Sequence, residues 1–161
     1  MCEMREVKAP AASLIPLVSE LLEHGQNSRI AVSGDSMYPF LRHRIDSVEC
    51  TKGSFEQLSR GDIVLIQRSD GRYILHRIYR KKKDCFYMVG DAQQWIEGPL
   101  LPEQLLAVVP TIWRKDKRIS CSSLWWRFLS QSWLLLRPFR YAILKVYRKI
   151  RKLPYKYMFV Q

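Results

Sequence analysis

The segment Gly34-Asp35-Ser36-Met37-Tyr38-Pro39 follows a β-branched run and fixes a serine between a glycine and a proline. Held in such a turn, the Ser36 hydroxyl is a candidate nucleophile. The backbone amides beside it, at Asp35 and Met37, are candidate donors to a substrate carbonyl or oxyanion. The structural alternative is an ordinary turn serine. A serine hydroxyl is a weak nucleophile until a base of near-neutral pKa takes its proton, and the chain holds three histidines. His24 falls at the end of a helical pattern, and His43 lies between Arg42 and Arg44, where solvent and nearby positive charge make it a weak candidate. His76 stands in Tyr73-Ile74-Leu75-His76-Arg77-Ile78-Tyr79, where period-two alternation puts it on one face with Ile74 and Ile78. There it is either a general base or a core histidine bonded to backbone. A carboxylate would favour the first role by fixing the imidazole tautomer and stabilising its charged form. Asp91, in Val89-Gly90-Asp91, and Glu97, six residues later, are the candidates.

The elements that must position these groups are short. Leu14, Leu17, Val18, Leu21 and Leu22 recur at helical spacing and predict an amphipathic helix over about residues 13–23. Pro16 would sit in its first turn and His24-Gly25-Gln26-Asn27 would end it. β-Branched runs predict strands over residues 29–32, 47–50, 62–67, 73–79 and 85–89, and one more over 105–109 ended by Pro110. Ser69-Asp70-Gly71 has hairpin-turn chemistry, and residues 81–84 make a solvated turn. The predicted fold class is therefore mainly β, a small antiparallel domain with an N-terminal helix. Beyond Lys117 helical spacing returns, first at Trp125, Phe128, Leu129 and Leu136, then at Phe139, Ala142, Ile143, Val146, Ile150 and Leu153, with Pro138 between the two stretches.

Charge divides the chain. Residues 1–113 hold 14 Lys/Arg against 14 Asp/Glu, whereas residues 114–161 hold 13 against 1, so the whole net charge of +12 sits in the second part. This predicts a catalytic domain over 1–113 and a basic, aromatic-rich helical tail over 114–161. Trp125, Trp126 and Trp133 beside arginines suit an anionic membrane surface; the plain alternative is a basic surface helix packed on the body. Residues 119–136 approach spanning length, but Arg127 and several serines favour lying on a bilayer over crossing it. The leading apolar run is too short for a signal peptide or spanning helix. With 47% hydrophobic and 26% charged residues, a disordered chain is excluded. Cys2, Cys50, Cys85 and Cys121 are too dispersed for a zinc site or a dense disulfide framework. The expectation is a reduced, cytoplasmic protein with no metal and no cofactor.

Taken together, Ser36-Met37-Tyr38-Pro39, Gly61-Asp62-Ile63-Val64, Leu75-His76-Arg77-Ile78 and Gly90-Asp91 resemble, in that order, the boxes of the signal peptidase and LexA-like serine peptidase superfamily. The resemblance covers about residues 28–109. Histidine at the base position is similar to the archaeal and endoplasmic-reticulum type, since typical bacterial signal peptidases and LexA-like proteins carry lysine there. It implies that Ser36 acts with His76 and that an aspartate after the base-bearing strand assists. Asp91 matches the first acidic position of the Gly-Asp box, and Glu97 falls where a second aspartate is usual. The spanning helix that precedes membrane signal peptidases has no counterpart here; the leading helix and Trp- and Arg-rich tail are similar to small soluble-start members.

The expected activity is hydrolysis of a peptide bond in a precursor or signal-type peptide, by a protein lying peripherally at the inner face of the cell membrane. A catalytically silent, membrane-associated peptide-binding adaptor is the first alternative, and the intact Ser/His pair argues against it. A LexA-like self-cleaving regulator is the second. The sequence has no Ala-Gly dipeptide of the kind such proteins cut and no helix-turn-helix segment before the peptidase part, which argues against nucleic acid as a partner.

Overall fold

Short β-branched runs separated by turns assemble into one antiparallel eight-stranded sheet in the computed structural model, which describes residues 11–151. The strands are β1 (Ser28–Ala31), β2 (Asp46–Thr51), β3 (Ile63–Gln67), β4 (Tyr73–Lys81), β5 (Phe86–Val89), β6 (Glu97–Leu100), β7 (Leu105–Arg114) and β8 (Lys117–Ser120). Their order is β1-β2-β7-β3-β4-β5-β6, with β8 added to β7. Helix α1 (Ala11–Glu23) precedes the sheet; α2 (Leu124–Leu135) and α3 (Arg140–Arg151) follow it. Cys2, the residues before Ala11, and Leu153 of the expected helical stripe lie outside the described residues.

The central strand β3 shows why the sheet has two cores. Ile63, Val64, Leu65 and Ile66 are all buried, so alternation sends them to both faces. Ile63 and Leu65 join Ile15, Val18 and Leu22 of α1 in the larger core. Val64 and Ile66 join Ile78, Phe86, Met88 and Leu100 in the smaller one. Helix α1 starts two residues earlier than expected, which places Pro16 inside it; burial of Ile15, Val18 and Leu22 holds the helix across the missing N–H.

Three strand expectations change. β7 does not stop at Pro110 but runs on to Arg114. Its register against β2 passes from Thr51↔Val108 to Glu49↔Thr111, and this irregularity accommodates a residue that cannot donate. The Pro110 carbonyl still works, accepting from Cys121 N at 2.9 Å. β6 and β8 were not anticipated: Gly98-Pro99 masks the first, and the second is a short, largely exposed edge strand.

The division of the chain at 113/114 is also corrected. It falls inside β7, and β8 pairs back on that strand through Arg114↔Lys117. Trp126 of α2 belongs to the larger core. In α2 Trp126, Ser130 and Leu134 face in, while Trp125 and Phe128 of the predicted helical stripe are 69% and 63% exposed. In α3 the inward residues are Arg140 and Leu144, and Val146 and Ile150 are exposed. The 3-10 turn Arg137–Phe139 holds Pro138 between the helices. Among the described residues no helix is long and apolar enough to cross a membrane. The 12 residues of α2 reach only about 18 Å against a hydrocarbon core of about 30 Å.

Because the tail completes the core, its loss should unfold the body. Trp126→Ala should cost about 3–5 kcal/mol in urea unfolding, and a chain lacking Ser120 to Gln161 should show no cooperative thermal transition. A truncated chain that melts like the full one would restore the tail to an independent appendage.

Candidate active site

The turn carrying Ser36 is built by Gly34, whose φ of 83° suits glycine. Its amide donates to His43 Nδ1 at 2.9 Å, and Tyr38 N donates to Asp35 O at 3.0 Å. Buried Met37 and Leu41 anchor the far side in the larger core. His43, set aside as a base, therefore braces the turn. Among the described residues the amides of Asp35, Ser36 and Met37 carry no hydrogen-bond acceptor. Such amides are available to an incoming carbonyl oxygen.

Gly90 links this turn to the base-bearing strand. β4 and β5 pair with Arg77 opposite Val89, so the next position along puts Gly90 across from His76. The Ser36 carbonyl rests against Gly90, where any Cβ would lie 2.7 Å from it, and it accepts from Ala92 N at 2.8 Å. Ser36 and His76 thus both border Gly90 at one end of the sheet. The hydrogen bond expected between them is not made among the described residues.

Strand parity decides which carboxylate meets His76. Val89 is opposite Arg77, and Asp91, two residues on, shares its face; Asp91 accordingly takes Arg77 rather than His76. Arg77 Nε and Nη2 donate to the two Asp91 oxygens at 2.9 and 2.7 Å, with both side chains fully buried. Met88 is opposite Ile78 on one side and Glu97 on the other, which puts Glu97 on the face of Ile78 and His76. Glu97 Oε2 lies 3.7 Å from His76 Nδ1, a buried nitrogen with no hydrogen-bond partner. Arg68 grips the same carboxylate through Nε and, at 2.6 Å, through Nη2. Burial pushes the His76 pKa down to about 4, against the opposing pull of Glu97 and, less, Asp91. The imidazole is therefore neutral at pH 7 and able to accept a proton.

The tail clasps the Gly90 turn from outside. Trp133 Nε1 donates to Asp91 O at 2.9 Å, and Arg140 Nη1 donates to Gly90 O at 2.9 Å and Gln93 O at 3.1 Å. Ser130 Oγ accepts from Arg77 Nη1 at 2.8 Å. Arg68, Arg77, Ser130 and Arg140 were not singled out from sequence, because their partnerships depend on strand register and helix packing that the sequence does not display. A cavity of about 530 Å³ borders Arg68 and Glu97 and extends to Leu101 and Gln104. A second, of about 350 Å³, is lined by Asp35, Tyr38 and His43 and by Tyr147 of α3. Among the described residues no cluster of His, Cys, Asp and Glu suits a metal ion.

No protein-family profile matches the chain, and no curated protein is similar to it in sequence.

The depressed His76 pKa has a stability consequence. Above its ordinary value of 6.5 neither folded nor unfolded chain holds the proton; between 6.5 and about 4 only the unfolded chain does. Stability is then full above pH 6.5 and falls by up to about 3 kcal/mol as the pH drops to 4. Urea unfolding at pH 7 and 4.5 should show this loss in the wild type and a smaller one in His76→Asn. Equal losses would place the responsible proton elsewhere.

Proposed function

We propose that the protein is a serine endopeptidase of the signal-peptidase type, acting on a precursor or signal-type peptide. Ser36 Oγ attacks the scissile carbonyl while His76 accepts its proton, and the amides of the Ser36 turn hold the oxyanion. The tetrahedral species collapses as His76 returns the proton to the leaving amine. Water, deprotonated by the same imidazole, then hydrolyses the acyl ester. Glu97 takes the orienting role, because its oxygen is the one aimed at Nδ1, and Asp91 is structural through Arg77. The observation that carries the proposal is a buried, unpartnered Nδ1 facing a carboxylate at the same sheet end as a serine turn with free amides. The charge of residues 114–161 supports a cytoplasmic, peripheral position at the inner face of the membrane. The missing Ser36–His76 hydrogen bond favours a second reading, a peptide-binding adaptor without turnover; peptides retained uncut would select it.

Cleavage of a diverse peptide library, followed by mass spectrometry, tests the assignment. Ser36→Ala and His76→Ala should each reduce turnover to background, with the double change no worse. Turnover by Ser36→Ala at the wild-type rate would sink the proposal. Glu97→Gln should lower kcat in a folded protein and shift the acid limb of kcat/KM, expected near pH 4, further down, since Glu97 raises the His76 pKa. Asp91→Asn should instead destabilise the fold by about 3–5 kcal/mol by leaving Arg77 buried without its counter-charge.

A further inference from the structure

α2 is a helix with two apolar faces. Its inward face, Trp126, Ser130 and Leu134, is packed on the body. Its outward face carries Leu124, Trp125, Phe128 and Leu135, which are 87%, 69%, 63% and 69% exposed. At 3.6 residues per turn these four fall within an arc of about 100°, a continuous stripe and not scattered side chains. Trp125 and Phe128 stack on one another within it, centroids 6.0 Å apart at 26°. Soluble surfaces tolerate single exposed apolar residues but rarely a stripe of this kind.

Exposed apolar side chains recur beyond α2. Leu136 and Phe139 are exposed at the turn, and Val146 and Ile150 follow on the outward side of α3. Lys145 and Lys149 flank them and are also exposed. Large apolar side chains bordered by lysines with flexible stems match the boundary between acyl chains and anionic headgroups, where the stems reach out to phosphate. The charge of the region suits an anionic surface: 13 basic residues against 1 acidic over residues 114–161. Neither helix can cross the bilayer.

We propose that the outward faces of α2 and α3 form a docking surface that seats the protein on an anionic bilayer, with the helices lying in the headgroup plane. This rests on the peripheral placement proposed above and is independent of catalysis. The inward faces of the same helices hold the Gly90–Gln93 turn through Trp133 and Arg140, so the bilayer lies about one helix diameter, roughly 10 Å, from that turn.

The test is co-sedimentation of the full chain, carrying Ser36→Ala so that turnover plays no part, with phosphatidylcholine vesicles and with mixed phosphatidylcholine–phosphatidylglycerol vesicles. Binding should require phosphatidylglycerol and weaken about tenfold or more at high salt. Phe128→Ser/Leu135→Ser on α2 and Val146→Ser/Ile150→Ser on α3 should each weaken it by about tenfold per side chain removed, with an unchanged thermal midpoint. Undiminished binding by both folded double variants overturns the docking surface while leaving peripheral placement intact; no binding by the parent chain overturns both. Equal binding to phosphatidylcholine alone, tighter binding to duplex DNA, or a dimer in solution that the double variants abolish would each assign these faces to another partner and overturn the proposal. None of these outcomes touches the peptidase assignment.

Discussion

The fold is organised around one buried ion pair. Arg77 and Asp91 lie wholly out of water, and such a pair is tolerable only if the remaining donors are also satisfied. Arg77 meets this with Gly61 O at 2.8 Å and Ser130 Oγ at 2.8 Å, under the rings of Phe40 and Trp126. Its partners come from the turn before β3, the turn after β5 and the middle of α2. One guanidinium therefore fixes the positions of three chain segments distant in sequence. The turn that receives Ser36 is an extension of the same constraint, since Ala92 N, one residue beyond Asp91, donates to the Ser36 carbonyl.

His76 and Arg77 are neighbours in sequence and opposites in environment. Pleating sends the arginine into the larger core, where its charge is fully paired, and the histidine to the other face, where it is buried and neutral. Leaving Nδ1 without a partner costs about 1–3 kcal/mol. The 3.7 Å gap to Glu97 is the kind of deficit that a small closing motion would remove. Arg68 holds the Glu97 carboxylate in place through Nε and Nη2, so its position relative to the imidazole is fixed. Under-satisfied polar groups persist where the surrounding structure over-determines them, and the smaller core supplies that constraint here.

How much of this was legible in the sequence follows from local chemistry. The strand at Ile63–Gln67 and the apolar face of His76 could be read directly, because β-branched alternation carries both. β6 could not, since Gly98 and Pro99 have low strand propensity and the strand is defined by pairing of the flanking Glu97 and Leu100 with Met88 and Phe86. The choice between Asp91 and Glu97 was hidden for a different reason. Both follow His76 at plausible distance, and only register separates them: two residues from Val89 puts Asp91 on the arginine's face, while pairing to Met88 puts Glu97 on the histidine's. The helical character of the tail was legible but its packing side was not, because α2 is apolar on both sides. A helical period finds a stripe in Trp125 and Phe128 as readily as in Trp126 and Leu134, and periodicity does not say which one packs.

A single peptide plane connects that tail to the serine. The unit joining Asp91 to Ala92 is planar and trans, so its carbonyl and N–H point in opposite directions. The carbonyl accepts from Trp133 Nε1 on α2, and the N–H therefore points away from the helix, where it meets the Ser36 carbonyl. Arg140 fixes the same turn from the carbonyls of Gly90 and Gln93, a buried cation held by neutral oxygens. Burial pulls its pKa down to about 10, still well above neutrality, so the cation persists and draws those carbonyl dipoles together. Rotating the plane to serve one partner would break the bond to the other. The inner faces of α2 and α3 consequently set the height and tilt of the Ser36 turn, and a force acting on their outer faces would reach the serine through four hydrogen bonds and one rigid amide.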